Sequence, residues 1–429
     1  MKILVIGGGG REHALIKSIK KSPKASKIYC LPGNGGISCD AECVDIPIAS
    51  IERVVQFAVD TKIDLCVVAP DDPLAAGMVD ALQNAGVRAF GPNKNAAIIE
   101  ASKVFSKDLM QKYGIPTAKH KSFTNAEDAY EFLKTLGNVP VVVKADGLAL
   151  GKGVIICSGL SDAIAAVKEI MEDKKFGSSG SSVVIEEFLT GVEVSVLAFC
   201  DSKTVVPMVS SRDHKRALDG NKGLNTGGMG TISPNPFYTD SIANECMEKI
   251  FLPTINAMNA EGRTFKGCLY FGLMLTENGP KVIEYNARFG DPEAQVVLPR
   301  LQTDIIDIME AVIDERLPEV EICWSDNCAV CVVMASGGYP ENYEKGVEIF
   351  GLDANTGGII SSDNFSGENI TVYHSGTKKD DSGRFFTNGG RVLGVTAVGD
   401  SLDEAINHSY EAVGQISFKD AHYRTDIGK

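Results

Sequence analysis

Apolar positions in this chain fall into short runs separated by glycine-rich loops. Lys2 to Ile6 reads as a buried strand, Gly7-Gly8-Gly9-Gly10 follows, and apolar residues recur at helical spacing from Arg11 to Ile19. Ile28 to Leu31 and Ile63 to Val68 are two more apolar strands, followed by Pro32-Gly33-Asn34 and Asp71-Asp72; Val87 to Pro92 closes the pattern. Strands alternating with helices predict a parallel α/β sheet with ligands at the carboxyl ends of its strands. A glycine loop between a strand and a helix N-terminus offers free N–H groups and the helix dipole to an anion. The dinucleotide fingerprint fails at the third glycine, where Glu12 or His13 stands, and no acid ends the second strand. A phosphate of some other ligand is therefore the expectation, and His13 is open to either a ligand or a structural role.

The middle of the chain changes period. A helix is predicted from Lys103 to about Tyr113, ended by Gly114-Ile115-Pro116. Val141 to Lys144 and Val154 to Cys157 then read as strands flanking the glycine-rich stretch Gly147 to Gly153, which contains Gly151 and Lys152. The glycine spacing is not that of a Walker A loop, and a strand rather than a helix follows it. A loop of this kind suits a lid over a nucleotide's phosphates; a plain glycine-rich hairpin is the bland alternative. Val183 to Leu189 carries Glu186 and Glu187 at the end of an apolar strand, and Glu193 opens another strand. Arg212-Asp213-His214-Lys215-Arg216 is a dense mixed-charge cluster, followed by the glycine loop Leu224 to Gly230.

Leu273 to Thr276, a turn containing Asn278-Gly279, and Lys281 to Ala287 read as a β-hairpin. Alternation puts Glu284, Asn286 and Arg288 on one face and Ile283, Tyr285 and Ala287 on the other. A carboxylate and an amide oxygen two residues apart are hard ligands suited to Mg²⁺, which takes few protein ligands and completes its shell with phosphates. The arginine can hold a phosphate or carboxylate through two parallel bonds. The bland alternative is a solvated polar face of an antiparallel sheet. Further on, a helix is predicted over Thr303 to Arg316, strands from about residue 328, and a helix over Ser401 to Gly414. Trp324 reads as packing and Gly389-Gly390-Arg391 as turn chemistry.

Length and composition narrow the class. With 429 residues the chain has room for about three domains. A net charge of −14 argues against a general nucleic-acid binder. The apolar run at the start is too short for a signal peptide, and no stretch approaches the ~20 apolar residues of a membrane span. Eleven scattered cysteines suggest reduced thiols in a cytoplasm. Cys328 and Cys331 match Cys-x-x-Cys but point to opposite faces of a strand.

Taken in order, these motifs resemble the ATP-grasp ligases, and within them the phosphoribosylamine–glycine ligase (glycinamide ribonucleotide synthetase) family. The stretches are Gly10 to Ala14, Pro32 to Asn34, Lys144 to Ala149, Gly151 to Val154, Ile185 to Leu189, Asp213 to Arg216, Asn225 to Gly230, Arg288 to Glu293 and Thr387 to Leu393. The resemblance implies an N-terminal parallel α/β domain (1–102), a central ATP-grasp domain (103–327) with a lid subdomain at about 123–191, and a C-terminal α+β domain (328–429). It implies ATP as co-substrate with Mg²⁺ or Mn²⁺ on Glu284 and Asn286. Lys103, Lys144 and the loop with Gly151, Lys152 and Gly153 would meet the phosphates. Glu186 and the Glu187-Phe188-Leu189 backbone would meet adenine, and Glu193 the ribose. Lys215 and Arg288 would be phosphate or carboxylate partners, and Asp213 or Asp291 would hold an amine. Phosphoribosylamine would lie near Gly9, Gly10, Arg11, Gly33 and Asn34, facing Arg288 and Asp291. Gly8 replaces the family's usual Asn and Asp71 its usual Glu, which affects single contacts near the sugar phosphate. The implied reaction joins glycine to 5-phosphoribosylamine through glycyl phosphate in a monomeric cytoplasmic enzyme, without nucleic acid or membrane. The alternative is another ATP-grasp carboxylate–amine ligase or a biotin-carboxylase-like enzyme.

Overall fold

The computed structural model describes residues 1–148, 153–175, 177–360 and 369–429. The N-terminal unit is a wholly parallel sheet in the order 42–43, 27–32, 2–7, 65–68, 89–90. Ile3, Leu4, Val5 and Ile6 are all fully buried because helices cover both faces. The first helix spans Gly10–Lys20 and follows the glycine loop, as its periodicity predicts.

Two antiparallel sheets make the middle of the chain. One has the strand order 120–123, 183–187, 141–145, 154–157; its helix Ala126–Leu136 packs apolar residues against one face. The other has the order 205–207, 192–201, 266–276, 279–286. Helix Lys103–Tyr113 joins the first unit to this one. Ser102 caps its N-terminus by accepting a hydrogen bond from the Phe105 N–H, and Gly114 ends it at φ 68°, a left-handed conformation glycine tolerates.

The hairpin is present: Lys266–Thr276 pairs with Gly279–Asn286 across the two-residue turn Glu277-Asn278. Its alternation is not uniform. Leu273 pairs with Val282 while Gly272 pairs with Glu284, so Ile283 is an extra residue in a β-bulge. The expected placement of Ile283 on the face of Tyr285 and Ala287 is therefore corrected. Val282 takes that place beside Tyr285 and Ala287 in the apolar core, and Ile283 faces the cavity described below. Glu284, Asn286 and Arg288 lie beyond the bulge and keep their common face.

The last sheet is antiparallel, with the order 212–213, 230–233, 328–335, 391–399, 370–374, and helix Leu402–Val413 packs on it. Its first two strands come from the middle of the chain, which anchors Asp213 to the C-terminal unit. The helix expected over Thr303 to Arg316 spans Ile305–Ile313, with the Asp304 carboxylate capping the Ile306 N–H. Trp324 packs against the large core that joins the N-terminal sheet to the central one. All eleven cysteines are free, and Cys331 is buried where Cys328 is only partly so. No helix among the described residues is long and apolar enough to cross a membrane.

Candidate active site

A cavity of about 1130 Å³ lies where the three units meet, walled by the two middle sheets, the hairpin and the loop at 225–227. On one side, Lys103 Nζ donates to the Gly147 carbonyl at 2.8 Å, and Lys144 Nζ donates to the Ile283 carbonyl at 3.0 Å. The bulge thus aims a backbone oxygen at the second lysine. Burial pulls the Lys103 ammonium below its ordinary pKa, against the pull of Glu284. Gly153, Phe188 and Leu189 line the same wall; Gly151 and Lys152 lie outside the described residues.

Glu186 is not an open ligand. Its two carboxylate oxygens lie 3.0 Å from Lys107 Nζ and 3.0 Å from Lys144 Nζ, all three side chains being almost fully buried. Burial opposes its charge, but the two lysines hold the carboxyl below its ordinary pKa. Burial pulls the Lys107 ammonium down to about 8, against the pull of Glu186. Its Nζ also donates to the Thr117 hydroxyl, which donates to the Val282 carbonyl on the hairpin. Glu187 sits nearer the rim, 3.2 Å from Lys281.

Across the cavity, Glu284 and Lys215 face each other at 3.5 Å, and Lys215 also lies 3.6 Å from Glu193. Neither separation is a tight pair, so the lysine is poised between two carboxylates rather than fixed on one. Lys215 holds the Glu284 carboxyl down to about 2, with further help from Lys144 and Lys103. Glu284 is therefore ionised at any working pH. The Asn286 Oδ1 atom accepts only a long bond, 3.4 Å, from Arg288 Nη2. An ionised carboxylate and a weakly engaged amide oxygen on one strand face are what a hard divalent cation requires.

The two candidate amine-holding acids differ. Asp291 is consumed within the protein: its Oδ1 accepts from Gln295 at 2.8 Å and lies 3.4 Å from Arg391, and its Oδ2 accepts from the Arg11 N–H at 3.3 Å. Burial would raise this carboxyl, but Arg391 and Arg11 hold it low. Asp213 has a buried Oδ1 without a hydrogen-bond partner, and burial beside Glu293 raises its pKa well above the ordinary value.

Near the first glycine loop, the protein supplies its own anions. The Gly9 N–H donates to Glu12 at 2.6 Å, and Asp291 takes the Arg11 N–H, so carboxylates occupy the helix N-terminus expected to hold a phosphate. The Asn34 amide donates to the Gly8 and His374 carbonyls and accepts from Gly36 and Ile37, so it serves as a brace. Gly9, Gly10, Gly33 and Asn34 do not line the cavity; Arg11 and Asp71 do. His13 is fully buried, bonds Asp40 and accepts the His374 N–H, a structural tie between the first helix and the C-terminal sheet.

Several cavity residues escaped the sequence reading. Lys107 lies one helical turn after Lys103, a spacing that could have marked it. Arg391 enters from the C-terminal unit, donating to the Gly227 carbonyl at 2.6 Å and the Asp291 carbonyl at 2.8 Å. Glu293 accepts from Ser195, whose hydroxyl also meets Tyr270 at 2.9 Å. Glu100, ahead of the helix carrying Lys103, pairs with Arg288 at 3.0 Å.

Comparison with known proteins follows the same three units. Family models for the phosphoribosylglycinamide synthetase N domain, ATP-grasp (A) domain and C domain match residues 1–100, 101–294 and 329–429. A phosphoribosylamine–glycine ligase of Caldanaerobacter subterraneus is 46% identical over 427 residues, covering 100% of this chain and 99% of the relative. One from Clostridium acetobutylicum is 44% identical over 429 residues, with 100% of both chains covered. The crystal structure of phosphoribosylamine–glycine ligase from Thermotoga maritima superposes with a TM-score of 0.85 at 31% identity, covering 100% of both chains. A biotin carboxylase domain from Hydrogenobacter thermophilus, solved with MgADP and bicarbonate, reaches a TM-score of 0.73 over 98% of this chain and 91% of its own. At 14% identity that likeness concerns the ATP-grasp fold alone. With all three domains matched in order and close relatives aligned end to end, the chain belongs to the phosphoribosylglycinamide synthetase family.

Proposed function

We propose that the chain is an ATP-dependent ligase that joins glycine to 5-phosphoribosylamine, giving glycinamide ribonucleotide, ADP and phosphate in purine synthesis. The chemistry starts from an inert carboxylate. The glycine carboxylate oxygen attacks the γ-phosphorus of ATP, the bond to ADP breaks, and glycyl phosphate forms. The amine of phosphoribosylamine then adds to the acyl carbon, loses a proton, and phosphate leaves with the electron pair of the C–O bond. No protein nucleophile is needed; alignment, positive charge and exclusion of water do the work.

The residues divide these tasks. Lys103 and Lys144 face the triphosphate from the lid side, beside Gly147 and Gly153. Lys107 and Glu186 hold Lys144 in place, while Glu187, Phe188 and Leu189 offer the strand end to adenine and Glu193 meets the ribose. Glu284 and Asn286 would hold Mg²⁺ or Mn²⁺, whose bound charge offsets that of the phosphates. Arg288 and Lys215 lie beside that pair, where the carboxylate and the transferring phosphoryl group meet. Asp213 is our choice for the glycine ammonium, because its free oxygen needs a donor and Asp291 is already bonded. The sugar is placed along the wall formed by Arg11, Asp71 and the Asp291 loop.

The observation that carries the reading is the convergence of Glu284, Asn286, Lys144, Lys215 and Arg288 on one cavity, in a chain matched by all three family domains. ADP release that needs both glycine and phosphoribosylamine is the expected result. Release with bicarbonate in place of glycine, or with neither substrate, refutes it. Glu284→Gln is expected to lower turnover by about 10²–10³ while the fold survives; near-normal activity at limiting Mg²⁺ removes the metal assignment.

A further inference from the structure

Glu100 stands outside the hairpin, on helix Lys94–Ala101, yet its side chain ends on the strand that carries the metal ligands. It is 9% exposed. One oxygen accepts the Ala287 N–H at 2.7 Å, just past Asn286, and the other lies 3.0 Å from Arg288 Nη2. The same nitrogen is 3.4 Å from Asn286 Oδ1, so one guanidinium group is shared between Glu100 and a metal ligand. Arg288 Nη1 donates to the Phe289 carbonyl at 3.2 Å, while its buried Nε has no partner. After Glu100, the carboxylates that attract this guanidinium are Asp71, Glu293 and Glu284.

We propose that Glu100 is a positioning residue that holds Arg288 off the oxygen pair Glu284 and Asn286 and so keeps that pair open to a divalent cation. The proposal rests on the metal assignment above. A neutral amide at position 100 could still accept the Ala287 N–H, so packing and backbone satisfaction do not account for a buried charge here. The charge acts on Arg288. Without it, the guanidinium shifts toward Glu284 and Asn286, and a cation resting on those oxygens opposes the entry of another. Outer-shell partners of metal ligands characteristically change metal affinity 10–100-fold.

The test is Mn²⁺ binding to the full-length protein in the presence of ADP, followed by electron paramagnetic resonance without turnover. Glu100→Gln is expected to weaken Mn²⁺ binding about tenfold, leaving metal-free ADP affinity unchanged. In an Arg288→Gln background the same substitution is expected to have no further effect, because Glu100 acts through that guanidinium. Mn²⁺ affinity within about twofold of the parent, or an undiminished loss in the Arg288→Gln background, overturns the proposal. If Glu100→Gln does not fold, Glu100→Asp takes its place. A loss of at least about threefold that vanishes in the same background is then expected, and no loss overturns the proposal. Glu284→Gln separates the two readings. If it leaves Mn²⁺ binding intact, the metal assignment fails. If it abolishes binding while Glu100 substitutions have no effect, only the role of Glu100 fails.

Discussion

Two buried histidines should make the protein lose stability in mildly acidic solution. His214 sits between the cavity residues Asp213 and Lys215; its Nδ1–H donates to the Gly230 carbonyl at 3.1 Å and its Nε2 accepts the Gly428 N–H at 3.3 Å. Burial, with Arg212 and Arg424 nearby, lowers its pKa to about 4, against a weaker pull from Asp426. His374 is fully buried, meets Thr377 and the Gly357 carbonyl, and burial lowers it to about 3. Both must stay neutral in the folded chain, whereas in the unfolded chain they titrate near 6.5. The unfolded state therefore binds more protons below pH 6.5. Their stabilising effect is complete above that pH and is lost as pH falls toward 4 and 3. Integrating between pH 7 and pH 5 gives a loss of about 1.9 kcal/mol for each histidine, ~4 kcal/mol together. His13 is also lowered by burial and adds in the same direction.

The assay is urea unfolding at the two pH values, followed through the single tryptophan, Trp324, which packs on the core shared by the N-terminal and central units. His214→Gln keeps a donor and an acceptor at that position without the titration. It is expected to remove about 1.9 kcal/mol of the pH dependence. Equal wild-type stability at pH 7 and pH 5, or an undiminished pH dependence in His214→Gln, would show that these rings accept protons in the folded chain.

Three other substitutions separate roles within the cavity. Lys107→Met leaves Glu186 with Lys144 alone; breaking this buried pair should cost about 3 kcal/mol in urea unfolding, with ADP affinity falling about tenfold because the cluster loses its excess positive charge. Asp213→Asn should raise the KM for glycine roughly 10–100-fold, the loss of one charged hydrogen bond, and leave ADP affinity unchanged; an unaltered glycine KM removes Asp213 from the ammonium site. Asn34→Ala should lower stability by about 2–3 kcal/mol through its lost backbone bonds while turnover per folded molecule stays within about twofold; a selective rise in the KM for phosphoribosylamine would instead make Asn34 a ligand.

The parts of the site visible in the sequence were those set by local rules. A two-residue turn between apolar strands fixed the hairpin, and alternation beyond the bulge set Glu284, Asn286 and Arg288 on one face. Ser102 and Gly114 marked both ends of the helix carrying Lys103. The bulge itself left no signal at Ile283, because one inserted residue changes the phase of alternation without changing residue type. The partners of the glycine loop were illegible for a related reason. Its geometry does suit an anion, but nothing local tells that Glu12 and Asp291, the latter 280 positions away, take the N–H groups. Arg391 and Glu100 were hidden because their partners come from other units, and an arginine after two glycines reads equally well as a turn.

Electrostatics tie these pieces together. The chain carries a net charge of −14, yet its substrates include a triphosphate and a sugar phosphate. Among the described residues, basic and acidic side chains are equal in number around the cavity, so little of the excess negative charge lies on its walls. Protonation of Asp213 would tip the cavity itself to positive. Lys103 rests on a backbone carbonyl, and Lys215 stands 3.5 and 3.6 Å from two carboxylates. On the proposed function, Lys103 and Lys215 would exchange these partners for phosphate oxygens, whereas Lys107, Lys144 and Glu186 form a buried cluster at 3.0 Å. If a triphosphate binds by exchanging partners within this balanced site, its affinity should depend on the local lysines far more than on the overall field of an acidic protein.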